Sequence, residues 1–306
     1  MSISFSPGLG EDVRFENSND GVSLWWTHVP PVTGERPGVI GQFSAPSQAG
    51  AAKILAEACD TLRAQGCTLA IGPMDGNTWR RYRFVTESGD EPSFWLEPAN
   101  PPEWPLWWRE EGFEPLAEYF STATENLLAR DPRVDGVAAR MKAAGVSIRP
   151  IDPAQFEEDL ERIYEVSLAA FAENYLYTPL PREAFFAQYR SIRDRIRPEL
   201  VLLAEQEGKP TGYVFTVPDF AQAQRGAAVN TIIVKTLAVL PGRRHAGLGA
   251  WLLAEAHAAA RKVGFARAIH ALMHETNKSR NLSAHYAKMI RRYTLFSKRL
   301  SQGSVA

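Results

Sequence analysis

A glycine-rich turn between an apolar run and an alanine-rich segment constrains this chain most. Residues 231–239 are mostly β-branched or apolar and predict a buried strand, whereas residues 251–263 are rich in Ala and Leu and predict a helix. The sequence VLPGRRHAGLGA at positions 239–250 joins the two. The local order is therefore strand, tight turn and helix start.

This turn has the chemistry of an anion site. The first N–H groups of a helix have no partner within the helix and carry the positive end of its dipole, so they bind phosphate. Gly247 and Gly249 allow a close approach to the backbone. The turn lacks the Lys-Ser/Thr pair of a nucleoside-triphosphate loop and the third glycine of a dinucleotide-binding fingerprint. The pattern predicts a pyrophosphate cradle of a different kind.

The turn resembles the signature Val-x-Pro-x-x-Arg-x-x-Gly-x-Gly/Ala of the GNAT superfamily, the Gcn5-related N-acetyltransferases. Val239, Pro241, Arg244, Gly247 and Gly249 meet its fixed positions. The resemblance implies acetyl-CoA as co-substrate, without a metal. It implies that the cofactor-binding residues are Leu237, Ala238, Val239, Arg244, His245, Ala246, Gly247, Leu248, Gly249, Ala250, Asn277 and Asn281.

The chain contains an internal repeat, in which short segments of the first half recur about 198 residues later. Residues 55–58 recur at 253–256, and the following glycine and strand recur in register. The repeat predicts a GNAT-like domain at 1–132, a linker at 133–145 and a second GNAT domain at 146–306. At this offset Pro46 stands where the second half has Arg244, so the cradle of the first half is degenerate.

The fold class that follows is α/β (α+β), with two tandem GNAT-type folds built on mixed sheets flanked by helices. The second half predicts the series β-α-α-β-β-β-α-β-α-β. Its last elements are a strand at 267–273, a helix at about 279–289 and a strand at 293–300. In the first half we expect strands at 23–28, 38–43, 68–74 and 117–124 and a helix at 48–65.

The catalytic groups are less clear than the cofactor site. Many GNAT relatives carry a glutamate on the strand before the cradle, but Lys235 is the ionisable residue of that strand here. We consider three candidates for the base, His270, His274 and Glu275, because they lie on or after the next strand. Tyr286 is the candidate acid, although in a helix it would lie about 200° from the position expected for the family's tyrosine.

Residues 75–83 of the first half are candidates for acceptor binding. They follow a predicted strand directly, and strand exits commonly bind ligands. Asn77, Trp79, Arg80 and Arg83 are the predicted contacts, with the arginines binding a carboxylate or phosphate of the acceptor. The alternative is that the arginines form salt bridges with acidic residues at 87–91.

Composition narrows the function classes. The 34 Lys and Arg against 35 Asp and Glu show no basic excess, so we expect no nucleic-acid partner. The sequence also predicts no membrane partner and a cytoplasmic location. We favour an acetyl-CoA-dependent N-acetyltransferase with a small-molecule amine as acceptor. The alternatives are a non-catalytic acyl-CoA-binding protein and transfer of an aminoacyl or longer acyl group. The sequence leaves the oligomeric state open.

Overall fold

The computed structural model describes residues 10–16, 21–276 and 285–300. They form one twelve-stranded mixed sheet with helices packed on it. The strands are β1 Val13–Glu16, β2 Gly21–Trp25, β3 Pro37–Ser44, β4 Leu69–Gly72, β5 Phe84–Glu87, β6 Glu114–Thr124, β7 Val146–Pro150, β8 Val201–Gln206, β9 Lys209–Pro218, β10 Thr231–Val239, β11 Arg267–His274 and β12 Lys288–Arg299. The helices are α1 Gln48–Ala64, α2 Trp104–Glu110, α3 Val134–Ala143, α4 Phe156–Phe171, α5 Arg182–Arg190, α6 Phe220–Gln224 and α7 Leu248–Lys262.

The two halves of the chain exchange their last strands. The order in the sheet is β1-β2-β3-β4-β12-β6-β11-β10-β9-β8-β7, and β5 pairs with β12. Strand β12 of the second half thus lies beside β4, while β6 of the first half lies between β12 and β11. The division at residues 132 and 146 stays a prediction, and strand pairing crosses it in both directions.

Each half contains the same parallel β-α-β unit. In the first half α1 connects β3 to β4, and in the second α7 connects β10 to β11. The two units differ in the connection before the helix, which spans residues 45–47 in the first half and 240–247 in the second. The longer connection is the predicted cradle.

The core runs through the sheet and across the boundary between the halves. One apolar cluster joins Phe94 and Trp95 of the first half to Phe185, Phe186 and Tyr213 of the second. A buried ion pair adds a polar link, because Arg291 of β12 donates to Glu97 at 2.7 Å and the Tyr293 hydroxyl donates to the same carboxylate at 2.6 Å. The halves therefore pack as one body.

The fold class predicted from sequence is confirmed. One of the predicted elements differs from the structure. We expected a helix at 279–289, but residues 285 and 286 form a turn and β12 begins at Lys288; residues 277–284 lie outside the described residues. Strands β1 and β5 and helices α2 and α6 were not predicted. No helix in the described ranges is both long and apolar enough to cross a membrane.

Candidate acyl-CoA and acceptor site

The turn before α7 leaves the helix N-terminus open. Gly247 is the N-cap residue, with a left-handed φ of 91°, and no side chain caps the helix. A Cβ atom at Gly247 would lie 2.8 Å from Cγ2 of Val137 on α3, so glycine is required by conformation and by close packing. The Arg140 side chain of α3 donates to the carbonyl of Ala246 at 2.5 Å. Helix α3 thus supports the turn from behind.

The side chains of the turn divide between core and solvent. Arg244, Ala246 and Gly247 are exposed, whereas His245 and Leu248 are buried. The His245 ring contacts the carbonyl of Leu240 through Nδ1 at 3.0 Å. His245 and Leu248 can therefore offer a ligand only their backbone groups. Gly249 and Ala250 lie in the first turn of α7; the Ala250 N–H donates to the Gly247 carbonyl at 3.0 Å, whereas the Gly249 N–H belongs to the unpaired set.

Strands β10 and β11 separate beside this turn. Their parallel pairing runs from Thr231 with Arg267 to Val234 with His270 and then stops. Beyond that point Leu237, Ala238 and Val239 pair with β9 on their other edge. The edge of β10 that faces β11 is left open there, and its backbone groups are available to a ligand. These three residues are the ones that the sequence resemblance assigns to the cofactor.

The corresponding gap in the first half is filled by the chain itself. Strands β3 and β4 also separate, but the Met74 N–H donates to the carbonyl of Ile40 at 2.8 Å and the Gln42 N–H donates to the Asp75 carboxylate at 2.6 Å. A Cβ atom at Gly41 would lie only 2.1 Å from the Met74 carbonyl oxygen. Helix α1 is capped as well, because Ser47 Oγ accepts from the Gly50 N–H at 3.2 Å. The β-α-β unit of this half therefore offers neither an open edge where β3 and β4 separate nor an uncapped N-terminus at α1.

A cavity of about 1400 Å³ opens where β10 and β11 separate. The first half contributes the segment around residues 78–83 and the second half contributes the ends of β10 and β11. Its wall includes Trp79, Arg80, Arg83, Tyr175, Lys235 and His274. The volume exceeds the roughly 300–1,000 Å³ that is usual for a drug-sized ligand.

Comparison with known proteins agrees with this geometry. Residues 160–288 match the model of the acetyltransferase (GNAT) family. The chain carries a GNAT domain. A curated relative, "Bacterial ceramide synthase" from Caulobacter vibrioides, is 22% identical over 194 residues, which are 63% of this chain and 50% of that protein. The chain therefore spans half the length of that relative.

Solved structures extend the likeness to both halves. A tandem GNAT protein from the clavulanic acid biosynthesis pathway has a TM-score of 0.52 at 15% identity, covering 92% of this chain and 79% of that one. A GCN5-related N-acetyltransferase from Sphaerobacter thermophilus has a TM-score of 0.53 at 14% identity, with 92% and 77% coverage. A fungal glucosamine N-acetyltransferase region has a TM-score of 0.56 at 15% identity and covers 92% of this chain and 31% of that chain. The shared feature is the GNAT fold, and one of the three structures is named as a tandem GNAT protein.

His270 of the GNAT domain is part of a buried histidine pair. Its Nε2 lies 3.1 Å from Nε2 of His257 on α7, and the two rings stack at an interplanar angle of 11°. Burial lowers the pKa of His257 to about 4 and, together with the charge of His257, that of His270 to about 3. Both rings are neutral near pH 7, and the two facing Nε2 atoms are engaged with each other. His270 is therefore a weak base in this arrangement.

His274 lies at the end of β11 in the cavity wall. Its Nδ1 accepts from the Thr276 N–H at 3.2 Å and lies 2.8 Å from the Thr276 hydroxyl. Burial, followed by the charge of Arg83, lowers its pKa. In the neutral ring the proton then resides on Nε2, because Nδ1 accepts. His274 is arranged to donate a hydrogen bond from Nε2.

Glu275 and Tyr286 do not line the cavity. The Glu275 carboxylate pairs with Arg292 of β12 at 3.4 Å. The expectation that Tyr286 lies in a helix is wrong, because a turn precedes β12 there. Its ring contacts those of His257 and His270 with centroids 6.3 Å away, and burial raises its pKa to about 12. Asn277 and Asn281 lie outside the described residues.

Lys235 is the cavity residue that sequence reasoning passed over. A bulge in β10 shifts the register between Val234 and Thr236, and Lys235 occupies it. The bulge marks the point at which β10 separates from β11. Burial lowers the pKa of the Lys235 amine, and it has no salt bridge within the described part of the chain. The signal in the sequence was its place as the ionisable residue of that strand.

The four predicted acceptor residues separate into different environments. Asn77 is buried outside the cavity wall, and its side-chain oxygen accepts from the Trp79 N–H at 3.0 Å, so it holds the turn. The Trp79 ring donates to the carbonyl of Thr178 at 2.8 Å and ties the halves together. Trp79, Arg80 and Arg83 line the cavity. Of the three arginines at 80–83, the one that pairs with an acid is Arg81, with Asp75 at 3.4 Å.

Proposed function

We propose that this protein is an acyl-CoA-dependent N-acyltransferase that binds its cofactor in the second half and its amine acceptor in the cavity between the halves. The observation that carries this proposal is the contrast between the halves. In the second half the helix N-terminus is uncapped and the edge of β10 is open, whereas Ser47 and Met74 close both features in the first. One cofactor site per chain follows.

The geometry supports direct transfer in a ternary complex. The turn from Arg244 to Ala250 would hold the pyrophosphate through N–H groups without a backbone partner, such as those of Gly247 and Gly249, and the open edge of β10 would hold the pantetheine arm. The thioester then lies near the bulge at Lys235. The acceptor amine attacks the thioester carbonyl, and backbone donors of β10 stabilise the developing oxyanion. Collapse of the tetrahedral intermediate breaks the C–S bond and releases the CoA thiolate, which takes its proton from solvent.

Lys235 is the base in this scheme. An amine whose pKa burial lowers is neutral more often at working pH and can accept a proton from the acceptor ammonium. The candidates from sequence are less suitable, because His270 shares its nitrogen with His257 and Glu275 is paired with Arg292. His274 is placed to donate to an anionic group in the cavity.

The transferred group is acetyl in the simplest form of the proposal. A longer acyl chain is the second candidate, favoured by the cavity of about 1400 Å³ and its aromatic walls. The name of the relative, a ceramide synthase, points the same way. A series of saturated acyl-CoAs from acetyl to palmitoyl, assayed by release of free thiol with a panel of amines, distinguishes the two by kcat/KM.

Calorimetric titration with acetyl-CoA tests the cofactor site. We expect one site per chain, and Arg244→Glu should weaken binding strongly because it reverses a charge beside the pyrophosphate. Arg261→Glu, at the exposed far end of α7, is the matched control with the same change in charge and should bind normally. Two equivalent sites, or equal losses in both variants, would contradict the proposal. Binding without turnover toward any amine would favour the non-catalytic alternative.

A further inference from the structure

Arg83 is a buried cation in the wall of the cavity. It is 5% exposed, and its φ of 68° lies in the left-handed region that L-residues rarely adopt. Its guanidinium carbon packs 4.0 Å from the ring centroid of Tyr82 and 4.1 Å from that of Tyr119. The backbone strain and the aromatic contacts together hold the guanidinium in one place at the cavity.

The Arg83 guanidinium has no anionic partner in the described ranges 10–16, 21–276 and 285–300. Its Nε and Nη1 atoms are buried and have no hydrogen-bond partner. Two carboxylates of the cavity wall are engaged elsewhere, since Glu97 pairs with Arg291 and Asp75 pairs with Arg81. An arginine keeps its charge at all working pH values. The cavity therefore holds an uncompensated positive charge with free donors.

A buried charge of this kind lowers the free energy of unfolding when no ligand is bound. A buried charged group without a partner loses hydration and gains no ion pair in return, and contact with aromatic faces replaces only part of that loss. The strained φ at the same residue adds to the cost. A ligand that brings an oxyanion to Arg83 removes this penalty, because its oxygens accept from Nε and Nη1.

We propose that Arg83 binds an oxyanion carried by the acceptor, so that the acceptor is an amine that also bears a carboxylate or a phosphate. That the bound ligand is the acceptor rests on the proposed acyltransferase function, whereas the oxyanion site itself does not depend on catalysis. The Tyr119 ring contacts both Arg83 and His274, the latter with centroids 4.9 Å apart. The anion end of the acceptor thus lies at the wall near the end of β11, in the same cavity as Lys235.

Thermal unfolding without acyl-CoA tests the oxyanion site directly. The probes are sodium phosphate and sodium acetate, compared with sodium chloride at equal ionic strength. We expect an oxyanion in excess to raise the Tm of the wild type by about 2–4 °C. The cradle turn is a second anion site, so the Arg83 variants are compared in an Arg244→Glu background, which itself should keep the response. In that background Arg83→Gln and Arg83→Met should lose the response and unfold in chloride at a Tm equal to or higher than that of Arg244→Glu alone. Arg261→Gln, at the exposed far end of α7 and outside the cavity wall, also removes one positive charge and is the control that keeps the response.

The result that overturns the site is a lower Tm for both Arg83 variants in chloride together with an unchanged response to oxyanions. That outcome would make Arg83 a structural residue. A response to phosphate alone, with none to acetate, identifies a phosphate-bearing acceptor, and the reverse identifies a carboxylate.

Acyl transfer to matched amines tests the link to the acceptor. The pairs are phenylalanine with phenethylamine, glutamate with 4-aminobutyrate, and phosphoethanolamine with ethanolamine. We expect at least one oxyanion-bearing member whose kcat/KM exceeds that of its less anionic counterpart by about 10- to 100-fold, and Arg83→Gln should remove this preference mainly through KM. Equal rates within every pair refute the inference while leaving the acyltransferase proposal intact. No transfer to any amine, with the thermal response retained, refutes the acyltransferase proposal and leaves the oxyanion site standing.

Discussion

Replacement of Gly247 by alanine tests how α3 and the cradle turn fit together. The left-handed φ of 91° at this N-cap costs an alanine about 1–2 kcal/mol. The added Cβ would lie 2.8 and 3.0 Å from the two methyl groups of Val137, and forcing a methyl into such a contact costs about 1–3 kcal/mol. We expect Gly247→Ala to lower the free energy of unfolding by about 2–5 kcal/mol, measured by urea denaturation.

A double-mutant cycle separates the two causes. Val137→Ala removes both methyl groups and, since the residue is half-buried, should by itself cost about 1 kcal/mol. In the Gly247→Ala background the same change relieves the steric contact, so the double variant should be more stable than the sum of the single effects by about 1–3 kcal/mol. Affinity for acetyl-CoA, measured by calorimetry, should fall in Gly247→Ala and recover in part in the double variant.

Strict additivity would refute the steric argument, because it would mean that the new methyl does not press on Val137. A loss below about 0.5 kcal/mol for Gly247→Ala would refute the conformational argument too. An unchanged affinity in a destabilised Gly247→Ala protein would separate the turn from cofactor binding and count against the proposed cradle.

Three further perturbations address the base, the histidine pair and the degenerate half. Lys235→Arg replaces the amine by a group that stays protonated and cannot accept a proton, so kcat should fall about 100-fold or more and the acidic limb of the pH profile should disappear. A retained limb in stopped-flow or steady-state assays would assign the base elsewhere. His257 and His270 have pKa values of about 4 and about 3 against 6.5 when unfolded, so the unfolded chain binds more protons and stability should fall as pH drops from about 6.5 to 4, by up to about 3 kcal/mol per pH unit for two protons. In His257→Asn/His270→Asn, denaturation midpoints measured across this range should depend less on pH, and an unchanged slope would locate the titration in other groups. Ser47→Ala should cost about 1 kcal/mol of stability and leave acetyl-CoA affinity unchanged, whereas weaker binding would indicate a ligand in the first half.

Local features of the sequence predicted the elements around the cradle turn well, because a strand, a tight turn and a helix start depend on neighbouring residues. The strand ending at Val239 and the helix beginning at Leu248 follow from composition and from the glycine at 247. The partner of a strand is a different matter. Alternation of side chains predicts that residues near 293–300 form a strand, but it carries no information that β12 pairs with β4, β5 and β6 of the other half.

The contacts that decide the chemistry of the cavity could not be predicted from residue spacing in the sequence. Arg83 was one of three arginines in a short segment, and its lack of a partner is visible only once Arg81 is seen to pair with Asp75. The position of His270 on a strand predicts a base, but in the structure its ring stacks on that of His257. The helix expected around Tyr286 failed because that residue falls in the turn that introduces β12.

The exchanged strands also set the order in which this protein can be completed during synthesis. The ribosome makes β4 and β6 early, but β12, which lies between them, ends at Arg299 and is the last of the twelve strands to emerge. Until then β4 and β6 each present an unpaired edge, which is a template for association with other chains. The first half therefore cannot complete its part of the sheet until β12 of the second half has been made. A nascent chain that stalls before Lys288 exposes both of these edges at once.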